Sequence, residues 1–117
     1  WKELPDSENL NDPRWSPDGR YIAAVDSTNR NLVLYDVQKG KWISAASGRF
    51  LERPYWSADS DYIYFQDQLD DEESVFRVNV DTRKVERVAG FGEILRASAA
   101  HCYFSGLGRD GSLYMTF

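Results

Sequence analysis

Short apolar segments alternate with polar turns along most of this chain. The segments "YIAAV" (21–25) and "YIYF" (62–65) are continuously apolar, whereas "VFRVNV" (75–80) alternates between apolar and polar positions. Their length and their content of β-branched and aromatic residues predict β-strands. A strand that is apolar at every position is typical of a sheet covered on both faces.

The pattern around the first segment recurs 41 residues later. "PRWSPDGRYIAAV" (13–25) is matched by "PYWSADSDYIYFQ" (54–66), and "GRDGSLYMTF" (108–117) repeats its turn and second strand. A unit of about 40 residues with four strands is the spacing of β-propeller blades. The repeat predicts strands at 12–16, 21–26, 31–37, 41–47, 52–57, 62–67, 74–80 and 84–90.

The turn of the first repeat has residues that favour a type I turn, with Pro17 at its second position and Gly19 at its fourth. We expect Asp18 and Asp59 to cap backbone N–H groups. Tryptophan and tyrosine residues could form a carbohydrate platform, but most of them recur at equivalent positions of the repeat, which favours packing between blades. They are Trp15, Tyr21, Trp42, Tyr55, Trp56, Tyr62 and Tyr64. The residues that define the repeat are Trp15, Pro17, Asp18, Gly19, Trp56, Asp59, Asp110 and Gly111.

The segments "PRWSPDGRYIA", "LVLYDV" and "KGKW" resemble the TolB-type, WD-like propeller repeat. The resemblance implies an all-β chain of about two and a half blades, each a four-stranded antiparallel sheet, in an incomplete ring. It divides the chain into an outer strand of a preceding blade, two blades and a partial blade, at residues 1–11, 12–47, 52–90 and 91–117.

So few blades cannot close a ring, because propellers have about four to eight. Open ends expose unpaired strands and apolar faces. We therefore expect this chain to be part of a longer one, or its copies to associate into a homo-oligomer that completes the propeller.

Charge and composition exclude some functions. The chain has 117 residues, 19 acidic and 14 basic, and a net charge of -5. This balance argues against a nucleic-acid partner, which requires a basic surface. No apolar run has the roughly 20 residues that a membrane-spanning helix needs, so membrane insertion is not expected. The compartment, bacterial cytoplasm or periplasm, stays open.

The strongest local charge lies in "DQLDDEES" (67–74). The five acidic residues of this segment account for the whole net charge of the chain, because the remaining acidic and basic residues balance. The segment is predicted to be a solvated hairpin loop. A docking loop for a basic partner and a Ca²⁺ site are the alternatives, although the segment lacks the glycine of a Ca²⁺ loop. The possible partner-contact residues are Asp67, Asp70, Asp71, Glu72 and Glu73.

The sequence offers little for catalysis. His101 and Cys102 are the only histidine and the only cysteine, and adjacent residues of a strand point to opposite faces. We expect no catalytic residues, no cofactor and no metal site.

The resemblance implies a non-catalytic propeller segment that acts as a protein-interaction or ligand-sensing scaffold in a larger bacterial signalling protein. The alternative is the substrate-gating propeller of a prolyl-oligopeptidase-like serine hydrolase.

Overall fold

The computed structural model describes residues 4, 6–69, 72–91 and 103–116, which form ten strands in three antiparallel sheets. Within each four-stranded sheet the strands pair in chain order, and the described strands do not close a ring. An all-β chain of four-stranded propeller blades is thereby confirmed.

The first sheet holds β1 (Leu10–Trp15), β2 (Tyr21–Asp26), β3 (Asn31–Asp36) and β4 (Lys41–Ser47). The second holds β5 (Glu52–Trp56), β6 (Tyr62–Leu69), β7 (Glu72–Asn79) and β8 (Val85–Gly90), and the third holds β9 (Tyr103–Leu107) and β10 (Leu113–Thr116).

Most strand boundaries agree with the predicted ones to within two residues. The beginning of the chain differs, because residues 6–9 form turns and β1 begins at Leu10. An outer strand was expected over 1–11, of which residues 1–3 and 5 lie outside the described part. Three residues with positive φ, Asp6, Asn9 and Asp12, interrupt an extended path there.

The first two sheets pack face to face around one apolar core. Alternate residues of β2 and β6 meet there, because side chains of a strand point to opposite faces in turn. Ile63 and Phe65 of β6 face the first sheet, whereas Tyr64 faces the third. The core between the first two sheets contains Ala23, Val25, Leu32, Leu34, Ala45, Ala46, Leu51, Ile63, Phe65, Val78 and Val80. Both faces of β6 are therefore covered, as its continuous apolar sequence predicts.

The third sheet is joined to the second by a smaller apolar cluster and one buried amide. Phe104 is fully buried, and its ring meets that of Tyr55 edge-on at 5.1 Å. The side-chain carbonyl of Gln66 accepts a hydrogen bond from the backbone N–H of Phe104 at 3.0 Å. Gln66 is 2% exposed, so this bond satisfies a polar group that burial would otherwise leave unpaired.

Trp56 joins the second sheet to the first. Its indole stacks on the ring of Tyr21, with centroids 6.3 Å apart and planes 16° apart. Its Nε1–H donates a hydrogen bond to the backbone carbonyl of Arg14 at 2.9 Å. The expectation that Trp56 packs between blades is confirmed.

Trp15 holds the equivalent position in the first sheet, yet it is 61% exposed. The expectation that Trp15 lies in the core between blades is therefore wrong for this chain. It is paired in register with Ile22, on the face of the first sheet that points away from the second sheet. Among the described residues, no blade covers that face.

The two tryptophans form a matched pair for measuring this difference. We expect Trp56→Ala to lower the free energy of unfolding by about 3 kcal/mol, because it removes a stacked ring and a hydrogen bond. Trp15→Ala should change it by less than about 1 kcal/mol, as is usual for an exposed side chain. Urea unfolding of both variants, at a protein concentration low enough to keep the chain monomeric, measures the difference, and equal losses would contradict the assigned packing.

Candidate interaction surfaces

One row of side chains crosses the exposed side of the first sheet. Register pairs Trp15 with Ile22, Ile22 with Tyr35, and Tyr35 with Trp42, so the four side chains lie on the same face. The rings of Tyr35 and Trp42 are 5.1 Å apart and tilted by 57°. We call the row Trp15–Ile22–Tyr35–Trp42 the front face of the first sheet.

The second sheet has the equivalent row, and its two central residues are covered. Register pairs Trp56 with Ile63, Ile63 with Val78, and Val78 with Val85. Ile63 and Val78 are fully buried against the first sheet. The front face of the first sheet thus corresponds to a surface that a neighbouring blade covers one repeat later.

Residues before β1, together with its first residue, cover part of the front face. Leu4, Ser7 and Leu10 line a cavity of about 200 Å³ together with Ile22 and Ala24. Ile22 and Ala24 are consequently buried, while Trp15 stays exposed at the rim. Trp15 is therefore the most exposed apolar side chain of the front face.

The turn carboxylates cap backbone N–H groups, as expected. Asp18 accepts hydrogen bonds from the Ser16 hydroxyl at 2.6 Å and from the Arg20 N–H at 3.0 Å. The Ser16 bond is the main reason that the pKa of Asp18 lies below its usual value. Asp59 makes both corresponding bonds, from the Ser57 hydroxyl and the Asp61 N–H, whereas Asp110 accepts a hydrogen bond from the Ser112 N–H. Both carboxylates also have lowered pKa values, mainly because of side-chain hydrogen bonds from Ser57 and Ser112. These carboxylates stabilise turns, which leaves them poorly suited to acid–base chemistry.

The acidic segment differs from the solvated loop that the sequence predicts, because β6 and β7 continue through it. Register pairs Asp67 with Ser74 and Leu69 with Glu72, so strand pairing reaches the edge of the undescribed residues Asp70 and Asp71. Asp67 is only 8% exposed. Its Oδ1 accepts hydrogen bonds from the backbone N–H groups of Arg49 and Phe50, at 3.1 and 2.8 Å. Asp67 is therefore a structural cap of the connection between the sheets, and not part of an exposed contact surface.

The two glutamates of the segment are half-buried in β7. Glu72 lies 3.7 Å from the guanidinium of Arg87, and Glu73 accepts a hydrogen bond from Gln66 at 3.1 Å. Gln66 donates equally to Glu52, whose pKa is raised by burial first and then by the nearby charges of Glu73 and Asp12. In the described part of the chain, no group of three or more His, Cys, Asp or Glu side chains is arranged to hold a metal ion.

His101 and Cys102 lie outside the described residues. In the ranges that the structure describes, no helix is long and apolar enough to cross a bilayer.

Comparison with solved structures assigns the fold. TolB from Acinetobacter baumannii superimposes with a TM-score of 0.70 at 23% identity, over 91% of this chain and 26% of that one. A putative TolB from Agrobacterium tumefaciens gives 0.56 at 26% identity, over 70% of this chain and 31% of that one. The chain folds as an open segment of a TolB-type β-propeller.

The β-propeller domain of the Trilobed protease from Pyrococcus furiosus is also similar, with a TM-score of 0.55 at 16% identity over 69% of this chain and 29% of that one. That domain has an open velcro topology. The propeller segment described here spans between a quarter and a third of the three chains it matches. Neither a protein-family model nor a curated protein sequence matches it.

Asp67 provides a test of the connection between blades. We expect Asp67→Ala to lower the free energy of unfolding by about 2 kcal/mol, because two backbone N–H groups lose a charged acceptor. Gln68→Ala, at the exposed neighbouring position, is the control and should have little effect. Chemical denaturation of the propeller segment measures both. An unchanged stability in Asp67→Ala would contradict the capping assignment.

Asp26 closes the turn between β2 and β3, and its carboxylate predicts how the stability of the fold depends on pH. Burial disfavours its charge, but hydrogen bonds from Asn31, from the Arg30 N–H and from Thr28 outweigh burial and lower its pKa to about 2. A carboxylate with a lowered pKa stabilises the fold above its unfolded pKa of 3.8 and loses that contribution as pH falls towards 2.

The melting temperature should therefore fall less steeply between pH 4 and pH 2 in Asp26→Asn than in the wild type. Asp61→Asn is the control, because no described residue donates a hydrogen bond to the Asp61 carboxylate. Scanning calorimetry at a series of pH values measures the slopes. Parallel curves for the wild type and Asp26→Asn would refute the assignment.

Proposed function

We propose that this propeller segment is a non-catalytic protein-interaction scaffold and that its front face packs against another propeller blade. The observation that carries the proposal is the exposure of Trp15 on a face whose equivalent in the second sheet is buried. A sheet apolar on both faces gains stability by burying both of them. The partner with the matching surface is a blade of the same repeat, which a second copy supplies when this chain is isolated.

The covering blade has a template within the chain. Trp56 is covered by the ring of Tyr21 and by the backbone carbonyl of Arg14, both from the preceding blade. The blade that covers Trp15 is expected to offer an aromatic ring and a free carbonyl in the same places. This requirement distinguishes a propeller blade from an unrelated apolar partner.

The larger context that we favour is a bacterial signalling or regulatory protein, in which the loops at one end of the ring contact a partner. Within the acidic segment, Asp70, Asp71, Glu72 and Glu73 are the residues we assign to a basic partner. A second candidate is the substrate-gating propeller of a serine hydrolase, which the similarity to a protease propeller supports. A downstream G-x-S-x-G motif in the parent polypeptide would favour the hydrolase.

The mass of the isolated chain in solution tests the proposal. We expect light scattering on a sizing column to give at least twice the mass of the 13.5 kDa chain. Trp15→Glu should shift the mass to that of one chain, since burying a carboxylate in the contact with no group to pair with its charge is costly. Phe50→Glu is the control, because Phe50 is 48% exposed in the connection between the sheets and outside the front face.

Two results would overturn the proposal. One is a folded wild-type chain that stays monomeric at high concentration. The other is a Trp15→Glu variant that associates as strongly as the wild type and as Phe50→Glu.

A further inference from the structure

The described residues form two grooves between successive blades, of which the first is closed and the second is open. Between the first and second sheets the indole of Trp56 lies against Tyr21. Between the second and third sheets the repeat places Leu107 where Trp56 stands and Tyr62 where Tyr21 stands. Leu107 carries no ring, so the groove lacks the side chain that fills its counterpart.

The turns that flank the groove differ in the same way. Between the first two sheets the turns touch, because the N–H of Asp18 donates a hydrogen bond to the Ser60 hydroxyl at 3.1 Å. The repeat places Gly111 where Ser60 stands, and glycine has no hydroxyl. Two groups that close the first groove are thus missing from the second.

A cavity of about 370 Å³ lies in the second groove. Its walls include Tyr62, Leu107 and the turns 57–59 and 108–111. All of these are described residues and lie at the positions that close the first groove. The cavity therefore follows from the exchange of residues between repeats.

The wall of the cavity has become polar as well. Tyr64 and Arg77 stand where Ala23 and Leu34 pack in the first groove. The guanidinium of Arg77 lies 4.2 Å from the centroid of the Tyr62 ring and donates a hydrogen bond to the Tyr64 hydroxyl at 3.2 Å. A stacked guanidinium presents a flat cationic surface on which a further ring can stack.

One arginine of the lining offers a contact for an anionic group beside that ring. Arg77 and Arg109 both line the cavity. Arg77 also contacts Glu86 at 3.3 Å, whereas Arg109 forms no hydrogen bond or ion pair with any described residue. The carboxylates of Asp59 and Asp110, which line the cavity too, accept hydrogen bonds within their own turns. Arg109 is consequently the cation available to a ligand.

We propose that the cavity between the second and third sheets binds the C-terminal aromatic residue of a partner polypeptide. The ring occupies the space that Trp56 fills in the first groove and stacks on Arg77 and Tyr62. The terminal carboxylate pairs with Arg109. This site is separate from the front face of the first sheet and does not depend on association through it.

N-acetyl-L-tryptophan is the probe, because it carries both the ring and the terminal carboxylate. We expect it to bind the chain in the millimolar range, with NMR shift changes at the amides of Tyr62, Leu107 and residues 109–111. N-acetyl-L-tryptophanamide lacks the charge and should bind about three- to fivefold more weakly. Free L-tryptophan should also bind more weakly, since its ammonium group would lie beside Arg109.

Variants separate the two parts of the site. Leu107→Trp should fill the groove, abolish binding and raise the melting temperature, whereas Leu107→Met should retain binding because it conserves volume. Arg109→Gln should bind the acid and the amide equally. Arg30→Gln, in a turn of the first sheet, is the control for charge and should keep the preference for the acid.

The proposal fails if the probe causes no shifts at tens of millimolar, or if the shifts lie on the first sheet. Undiminished binding in Leu107→Trp would also refute it. Should that variant not fold, an unchanged preference for the acid in Arg109→Gln would be sufficient. Tighter binding of free L-tryptophan than of the acetylated probe would assign the site to an amino acid and overturn a peptide ligand.

Discussion

Both faces of the second sheet are apolar, and this constraint governs the whole structure. Ile63 and Phe65 are buried against the first sheet, while Tyr64 and Val75 are buried against the third. Contact with water on either face does not stabilise such a sheet, so its stability comes from burying both faces against adjacent sheets. The same constraint underlies the proposal that the front face of the first sheet packs against another blade, because its apolar row ends in the exposed Trp15 and no blade formed by the described residues lies across it.

A few polar bonds set how the sheets lie against each other. The Trp56 indole bonds to the Arg14 carbonyl, Asp67 caps the connection at Arg49 and Phe50, and Gln66 bonds to Phe104. Apolar burial has no direction, whereas each of these bonds is made at one distance and angle. The polar bonds therefore fix the orientation of sheets that the apolar core holds together.

The repeat predicted the fold well because strand patterns and turns are local properties. "YIAAV" and "YIYF" became β2 and β6, and the turn at Asp18 formed as its residues indicate. The predictions that were wrong concern side chains whose burial depends on what packs against that face of the sheet. Trp15 and Trp56 have similar local sequences, and the contact with a preceding blade makes the difference between an exposed and a packed side chain. Asp67 was misjudged for a similar reason, since its partners lie 17 and 18 residues away in the chain.

Differences between repeats carry more functional information than the repeat itself. A position that packs blades is expected to keep its residue type, because each groove presents the same geometry. In the second groove Ala23, Leu34 and Trp56 are exchanged for Tyr64, Arg77 and Leu107, a change from a closed apolar contact to a polar cavity. Packing alone does not require this change, since a cavity and a half-buried guanidinium both cost stability. A ligand ring that fills the cavity and stacks on Arg77, with its carboxylate on Arg109, would offset that cost, which is why the second groove is the more informative of the two.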